Sequence, residues 1–481
     1  MSVFPTDHAM PNAAYSTGRH DLQVGTQSHQ WPLVPLADIV EINPRPSQLR
    51  DEELASFIPM RCVEEESGRF EPLGDKKVAE VKKGYTYFCD GDVIFAKVTP
   101  CMENGKAAVM KGLTNGIGFG STEFFVLRPS ARIAADYLLH FILQSGFRRD
   151  AARNMTGAVG LRRVPKSFLE QQKIPLPSLD QQRHIVAEIE KQFTRLDAGV
   201  AALRRVQANL KRYRAAILRA ACEGRLVPTE AEIARVGGRK FESGKELLSR
   251  VLLERRRNWH GAGPYREPAV PHSANLGELP AGWAWATFEQ IAERVTVGFV
   301  GSMKHEYVQD GVPFLRGQNV RENRFDPEGL LRISPEFHKR LSKSALRPGD
   351  LAVVRSGAVG VTCVIPASLP NANCSDLVLI QRPLGFVPQY GAYYMNSLAK
   401  RHVAAGKVGV ALIHFNTKSV AALAVPLPPL AEQARVVAEV ERHLSVCDEM
   451  EAMISANLQR ASRLRNSILH SGFNGRLTYK E

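Results

Sequence analysis

Basic side chains recur at matched places in two stretches of this 481-residue chain. Arg61 closes the run Ile58-Pro-Met-Arg and Arg316 closes Pro313-Phe-Leu-Arg, while Lys97 follows Gly91-Asp-Val-Ile-Phe-Ala and Arg355 follows Gly349-Asp-Leu-Ala-Val-Val. Each stands where a predicted strand gives way to a loop. A cation in such a place can pair with phosphate or, for arginine, with a guanine edge in the major groove; the plain alternative is an ion pair within the fold. Lys106 ends the run Cys101–Lys106, which has no clear partner in the second stretch. Arg148, Arg149, Arg153, Arg162 and Arg163 in the first stretch, with Arg401, His402, Lys407, His414 and Asn416 in the second, accompany the loops at Gly157 and Gly406. Glycine there permits close approach of backbone to a ligand, so these residues are candidate DNA contacts.

Chemistry of other kinds is not spelled out. The Gly-Lys pairs at Gly105, Gly244 and Gly406 lack the upstream glycine of a phosphate loop. Gly116-x-Gly118-x-Gly120 lacks dinucleotide-binding spacing and runs into a strand, so it reads as a turn. His-Glu-x-x-His does not occur, the histidines are scattered, and neither Asn-Pro-Pro-Tyr nor Asp-Pro-Pro-Tyr appears. No catalytic residue and no metal ligand set is assigned, and no cofactor is expected on this chain.

The elements that position the basic residues are duplicated. Ile174 to Pro228 and Val425 to Tyr479 align without a gap at an offset of 251 residues, with about a third of positions identical. Shared residues include Pro175, Leu176, Pro177, Leu179, Gln182, Val186, Glu188 and Glu190 at the start, and Arg212, Arg214, Ile217, Leu218, Gly224 and Arg225 at the end. The preceding segments match as well: Gly91-Asp-Val-Ile-Phe answers Gly349-Asp-Leu-Ala-Val, and Ser121-Thr-Glu-Phe-Phe-Val answers Cys374-Ser-Asp-Leu-Val-Leu. A repeat of this period means duplicated domains.

Each repeated tail predicts one long helix. Ser178 with Gln181 forms a capping box, and Gly224 and Gly475 stand where a glycine would end the helix. Val186, Ile189, Phe193, Leu196, Val200 and Leu203 in the first copy alternate by three and four, and Val437, Val440, Leu444, Cys447, Ile454 and Leu458 in the second keep that register. That seven-residue repeat marks a helix packed along another helix. Glu451 interrupts it. Each helix is expected to be roughly 65 Å long, and two matched copies bury one another most simply as an antiparallel coiled coil.

The globular segments carry short β-branched runs, Val93 to Phe95, Phe124 to Leu127, Leu351 to Val354 and Leu377 to Ile380, punctuated by turn signals. The expected fold is mixed α/β, two globular domains with twisted, largely antiparallel sheets joined by the helices. The boundaries read as a loose tail over 1–30, globular domains over 31–173 and 281–424, spacer helices over 174–228 and 425–481, and a connector over 229–280. At up to ~3.3 Å per extended residue the connector can carry the chain back along the spacer, and Arg255, Arg256 and Arg257 in it read as a solvated helix face.

Net charge is +14, with the excess present in both globular segments, which fits a protein lying along a polyanion. Seven scattered cysteines without a Cys-x-x-Cys pair suit reduced thiols, and no run approaches the length of a membrane span. The chain is expected to be cytoplasmic.

The twin openings Pro175-Leu-Pro-Ser-Leu-Asp-Gln-Gln and Pro426-Leu-Pro-Pro-Leu-Ala-Glu-Gln, the twin closings Ile217-Leu-Arg-Ala-Ala-Cys-Glu-Gly-Arg-Leu and Ile468-Leu-His-Ser-Gly-Phe-Asn-Gly-Arg-Leu, and the paired Gly-Asp strands resemble the specificity subunit of type I restriction-modification systems, over residues 31 to 481. The resemblance implies two target recognition domains that each read half of a split, asymmetric DNA sequence. It implies helices that set the half-site spacing and dock modification subunits, which bind S-adenosylmethionine and methylate adenine. A separate restriction subunit would use ATP and Mg to translocate and cleave DNA. The alternatives are a fragment of a fused restriction enzyme and a coiled-coil DNA-organising protein without a methyltransferase partner.

Overall fold

The computed structural model describes residues 31–46, 48–158, 160–259, 263–272, 276–303, 305–399 and 416–477. They form two compact units: residues through Ala201 together with those from Leu458 on, and Ala202–Asn457. The tail over 1–30 and the loop at Gly406 lie outside the described residues.

In the first unit an antiparallel sheet runs in the order Val40–Ile42, Phe124–Pro129, Val93–Ala96, Ala107–Val109. Its central strands are apolar from Val93 to Ala96 and from Phe124 to Leu127 because both faces are covered. Val93, Phe95 and Leu127 face a core shared with the helix Ala135–Leu143 and the long helix Leu179–Cys222. Ile94, Phe124 and Val126 face a second core with Ile58 and Phe88. Alternation with burial on both sides is the reason these strands read as continuous runs.

A second sheet runs Gly74–Lys77, Leu54–Ile58, Ile117–Gly120, Thr86–Cys89, and Leu54–Ile58 pairs parallel to Ile117–Gly120. Gly118 and Gly120 belong to that parallel strand, and only Gly116, at φ +70°, makes the turn. A Cβ on Gly118 would lie 2.4 Å from the Phe88 ring, so the glycines admit an aromatic ring to the sheet face.

The second unit repeats this plan. Ala292–Val297, Leu377–Pro383, Leu351–Val354 and Thr362–Val364 form the antiparallel sheet. Leu351, Val353, Val378 and Ile380 face one core, and Ala352, Val354, Leu377 and Leu379 the other. The second sheet, Tyr307–Val308, Leu331–Ile333, Val312–Leu315, Asn373–Cys374, again contains one parallel pair. Each unit is also closed by a short antiparallel pair, Leu33–Pro35 with Lys173–Pro175 and Ala284–Thr287 with Ala424–Leu427.

The long helices are Leu179–Cys222 and Leu430–Phe473, 44 residues each. The capping box forms: Gln181 Oε1 accepts from the Ser178 N–H at 3.1 Å. Past the helix ends Gly224 and Gly475 adopt φ +68° and +72°. Within each unit the helices pack antiparallel. In the first, Ile185 and Ile189 lie against Gly472, while Phe193 and Asp197 meet Arg465. In the second, Tyr213 and Arg214 meet His443 and Asp448, while Ile217 and Cys222 share a core with Val436 and Val440. Val186, Ile189, Phe193, Val437, Val440 and Ile454 are buried, and Leu196, Val200, Leu203, Leu444 and Leu458 are half-buried. Glu451 fits the seam because it pairs with Arg214 at 3.2 Å.

The connector is helical up to Arg257, as expected, but departs from expectation in a second helix and in its packing. It forms two helices, Glu230–Gly237 and Gly244–Arg257, each opened by a full capping box, and both pack into the second unit. Leu247 and Val251 enter its core. Glu432 accepts from Trp283 Nε1 and from the Glu230 N–H, both at 2.8 Å. No return path is needed, because the end of the first long helix already lies in the core that Val425 and Leu427 enter.

Candidate nucleic-acid interface

Two loops carry most of the basic candidates of the first unit. One follows Ile58: Arg61 sits on the short turn Met60–Cys62, exposed and without an ion pair or side-chain hydrogen bond among the described residues. The other runs from Lys97 to Lys106 and is knitted to the 156–163 segment by backbone bonds, Thr99 N–H to Arg162 O at 3.1 Å and Val164 N–H to Lys97 O at 2.8 Å. Lys106 Nζ ties the two loops together through the Met60 carbonyl at 3.3 Å.

The other three strand-end cations, Lys97, Arg316 and Arg355, have partners. Lys97 lies over the Phe125 ring at 5.4 Å with Glu123 beside it; burial lowers its pKa and Glu123 opposes that. Glu123 also takes a two-pronged contact from Arg163 at 2.7 to 3.1 Å, which holds its carboxyl below the usual range. In the second unit Arg355 pairs with Asp376 at 3.1 Å. Asp376 answers Glu123 in the sequence, so the basic residue and its acidic partner were duplicated together. Arg316 donates to the Gly329 carbonyl at 3.0 Å.

The remaining candidates divide. Arg149 is exposed and Arg162 stands 3.9 Å from Glu103. Asn416 is exposed and accepts from the Ser419 N–H at 2.8 Å, which makes it the cap of the helix Thr417–Ala421. Arg401 and Lys407 lie outside the described residues. In the connector, Arg255 bonds the Ala292 carbonyl and Arg256 stands 3.7 Å from Glu267.

Several residues that hold this surface escaped the sequence reading. Asp92 is buried and takes a two-pronged contact from Arg128, both bonds at 2.8 Å. Its counterpart Asp350 accepts instead from the backbone N–H groups of Arg347 and Arg382, at 2.9 and 2.7 Å, while burial pushes its carboxyl up. Asn319, fully buried, accepts from the Arg316 N–H and donates to the Asp326 and Glu328 carbonyls, each at 3.0 Å. Gln182 and Gln433 hold the starts of the long helices to the globular parts. Gln182 accepts from the Ala134 N–H and donates to Arg132 O and Pro177 O; Gln433 accepts from the Val387 N–H and donates to Gly385 O and Pro428 O. Their shared position in both repeats was the available signal.

Among the described residues no group of three or more His, Cys, Asp or Glu side chains could hold a metal ion, and no helix is long and apolar enough to cross a membrane.

Residues 29–202 match the family model of the type I restriction modification DNA specificity domain. The chain is 28% identical to the type I restriction enzyme EcoEI specificity subunit of Escherichia coli, across 92% of this chain and 82% of the relative. It is 26% identical to the EcoAI specificity subunit of the same organism, with the same coverage. Among solved structures, a chain described under complex assembly and conformational transition of the type I R-M system matches at TM-score 0.67 and 18% identity, covering 92% of this chain and 98% of its own. The HsdS subunit from Thermoanaerobacter tengcongensis matches at TM-score 0.51 and 18% identity, covering 93% and 97%. Two α/β units that share one antiparallel sheet order, paired long helices with twin glutamine anchors, and a specificity-domain match over residues 29–202 make the chain similar over most of its length to the specificity subunits of type I restriction-modification systems.

Proposed function

We propose that the two units are target recognition domains, each reading one half of a bipartite, asymmetric duplex sequence, and that the chain directs partner subunits without catalysing a reaction itself. The observation that carries this reading is one sheet plan built twice with unlike loops. The first unit has the strand Thr86–Cys89 and the loop Lys97–Lys106; the second has the hairpin Val320–Arg321 with Arg324–Phe325. A common scaffold with different loops is the arrangement that reads two different half-sites.

Phosphate contacts fall to the exposed cations Arg61, Arg149 and Arg162, and base contacts to the adjoining loops. Arg163 and Arg355, already paired with carboxylates, and Lys97, packed on the Phe125 ring near Glu123, shape those loops, and any contact they make with DNA shares the charge of Glu123 or Asp376. The partners in this reading are modification subunits that bind S-adenosylmethionine and methylate adenine on duplex DNA, and a restriction subunit that uses ATP and Mg, all in the cytoplasm.

The test is to co-express the chain with its modification subunit, supply S-adenosylmethionine and random duplex DNA, and map methylated adenines by sequencing. The expected motif is split, with half-site centres about one helical turn apart. A continuous motif would leave only one unit reading DNA, and no methylation with the cognate subunit would refute the reading.

A further inference from the structure

We propose that Arg465, on the second long helix, positions the reading loops of the first unit, whereas the reading loop of the second unit positions itself; this rests on the reading of both units as half-site readers. Arg465 is about one-sixth exposed and its guanidinium lies 4.0 Å from the centre of the Phe193 ring. One arm pairs with Asp197 on the first long helix, and the other donates to the backbone carbonyl of Glu66 at 3.1 Å.

Glu66 is the corner of the loop that begins at Arg61. It adopts φ +55°, between the bridged residues Val63 and Phe70, and its N–H donates to Gly105 O at 3.0 Å. Its carboxylate accepts from Arg148, which is about one-tenth exposed and also donates to Glu103 O at 2.7 Å. A polar series therefore runs from the helix pair through Glu66 and Arg148 to Glu103 and Gly105. These belong to the two loops that present Arg61 and Lys106. Because every step is a directed bond between partly or fully buried groups, a displacement of the helix pair moves both loops.

The second unit is built otherwise. Arg214 answers Arg465 in the repeat, but among the described residues its guanidinium pairs with Asp448 and Glu451 of the opposite helix, at 2.6 and 3.2 Å, and with no loop. The loop after Arg316 is held from inside by Asn319, through the Asp326 and Glu328 carbonyls. Where a bridge would run, an open groove of about 860 Å³ separates Asn323, Arg324 and Phe325 from Glu441, Leu444 and Asp448. Arg465 is thus a positioning residue for one half-site, without a counterpart for the other among the described residues.

The experiment uses the full chain in complex with its modification subunit, with methylated adenines mapped on random duplex DNA. Arg465→Gln is expected to raise methylation of sites mismatched in one half-site by about tenfold, out of the roughly 5- to 150-fold that a wrong base pair ordinarily costs, with the other half unchanged. Glu66→Gln, which leaves the helix pair intact, is expected to relax the same half. Arg214→Gln, which removes the equivalent ion pair, is expected to leave both halves as sharp as in the unaltered chain. Should Arg465→Gln prevent assembly, Glu66→Gln decides alone. A sharp motif with Glu66→Gln, or equal blurring of both halves by Arg465→Gln and Arg214→Gln, overturns the proposal while leaving the half-site reading intact. An unaltered chain without a split motif overturns that reading and the proposal with it.

Discussion

Asp197 and Asp448 occupy the same place in two copies of one helix, and each pairs with an arginine of the opposite helix, Arg465 and Arg214 respectively. The environments differ. Arg214 is one-quarter exposed and Asp448 mostly exposed, whereas Arg465 is more buried, packs on Phe193 and bonds a backbone carbonyl. Asp448→Ala is expected to cost about 0.5 kcal/mol, the ordinary worth of an exposed pair. Arg465→Ala is expected to cost about 2 to 3 kcal/mol, because it also orphans buried partners. Urea unfolding midpoints of the two variants check the difference; equal costs would mean that the Phe193 and Glu66 contacts contribute nothing.

The twin glutamines make a second test. Gln182 and Gln433 are both fully buried and carry equivalent sets of three bonds. Replacing either by alanine strands a buried N–H and two carbonyls, at a cost of about 2 to 4 kcal/mol. The two variants should lose similar stability in equilibrium unfolding. A loss below 0.5 kcal/mol in either, on the order expected of a surface site, would show that water replaces the amide.

His140 predicts a pH dependence. Its ring is buried beside Phe193, neither nitrogen has a hydrogen-bond partner among the described residues, and burial lowers its pKa to about 4, opposed by Asp136 and assisted by Arg465. An unfolded histidine titrates near 6.5. Between these values the unfolded chain binds more protons, so this contribution is fully present above about pH 6.5 and is lost as pH falls toward 4, up to roughly 3 kcal/mol. His140→Phe should flatten this part of the acid limb when unfolding free energy is compared at several pH values. An unchanged slope would mean that the ring is hydrated.

If the long helices dock the modification subunits, as proposed, assembly depends on helix continuity. Leu196 lies inside Leu179–Cys222 and is half-buried against the first unit's core. Leu196→Pro removes a backbone hydrogen bond and clashes with the preceding turn, at about 3 kcal/mol or more. Co-purification with the modification subunit should be lost, and normal co-purification would argue against helix-borne docking.

Much of the fold was legible because the chain states it twice. Val93 to Phe95 and Leu351 to Val354 read as strands in both copies, and the capping box at Ser178 and glycines at 224 and 475 bounded the helices within a few residues. The parallel pairing of Leu54–Ile58 with Ile117–Gly120 was not legible, since nothing in a strand's own residues names its neighbour. The connector misled for a similar reason: Arg255, Arg256 and Arg257 read as a solvated helix face, and nothing in the sequence names the core that Leu247 and Val251 of the same helix enter. At the candidate interface, residue type located Lys97 and Arg355 but not their surroundings, the Phe125 ring and Glu123 for the first and Asp376 for the second.

The short pairs that close each unit bring its entering and leaving strands side by side, with Val34 opposite Ile174 and Trp285 opposite Pro426. A body whose two ends meet at one seam behaves as a cassette: a different loop-bearing body with the same seam can be spliced in without lengthening or turning the flanking chain. New recognition can therefore arise by exchange of whole segments, with the helices and their glutamine anchors inherited unchanged.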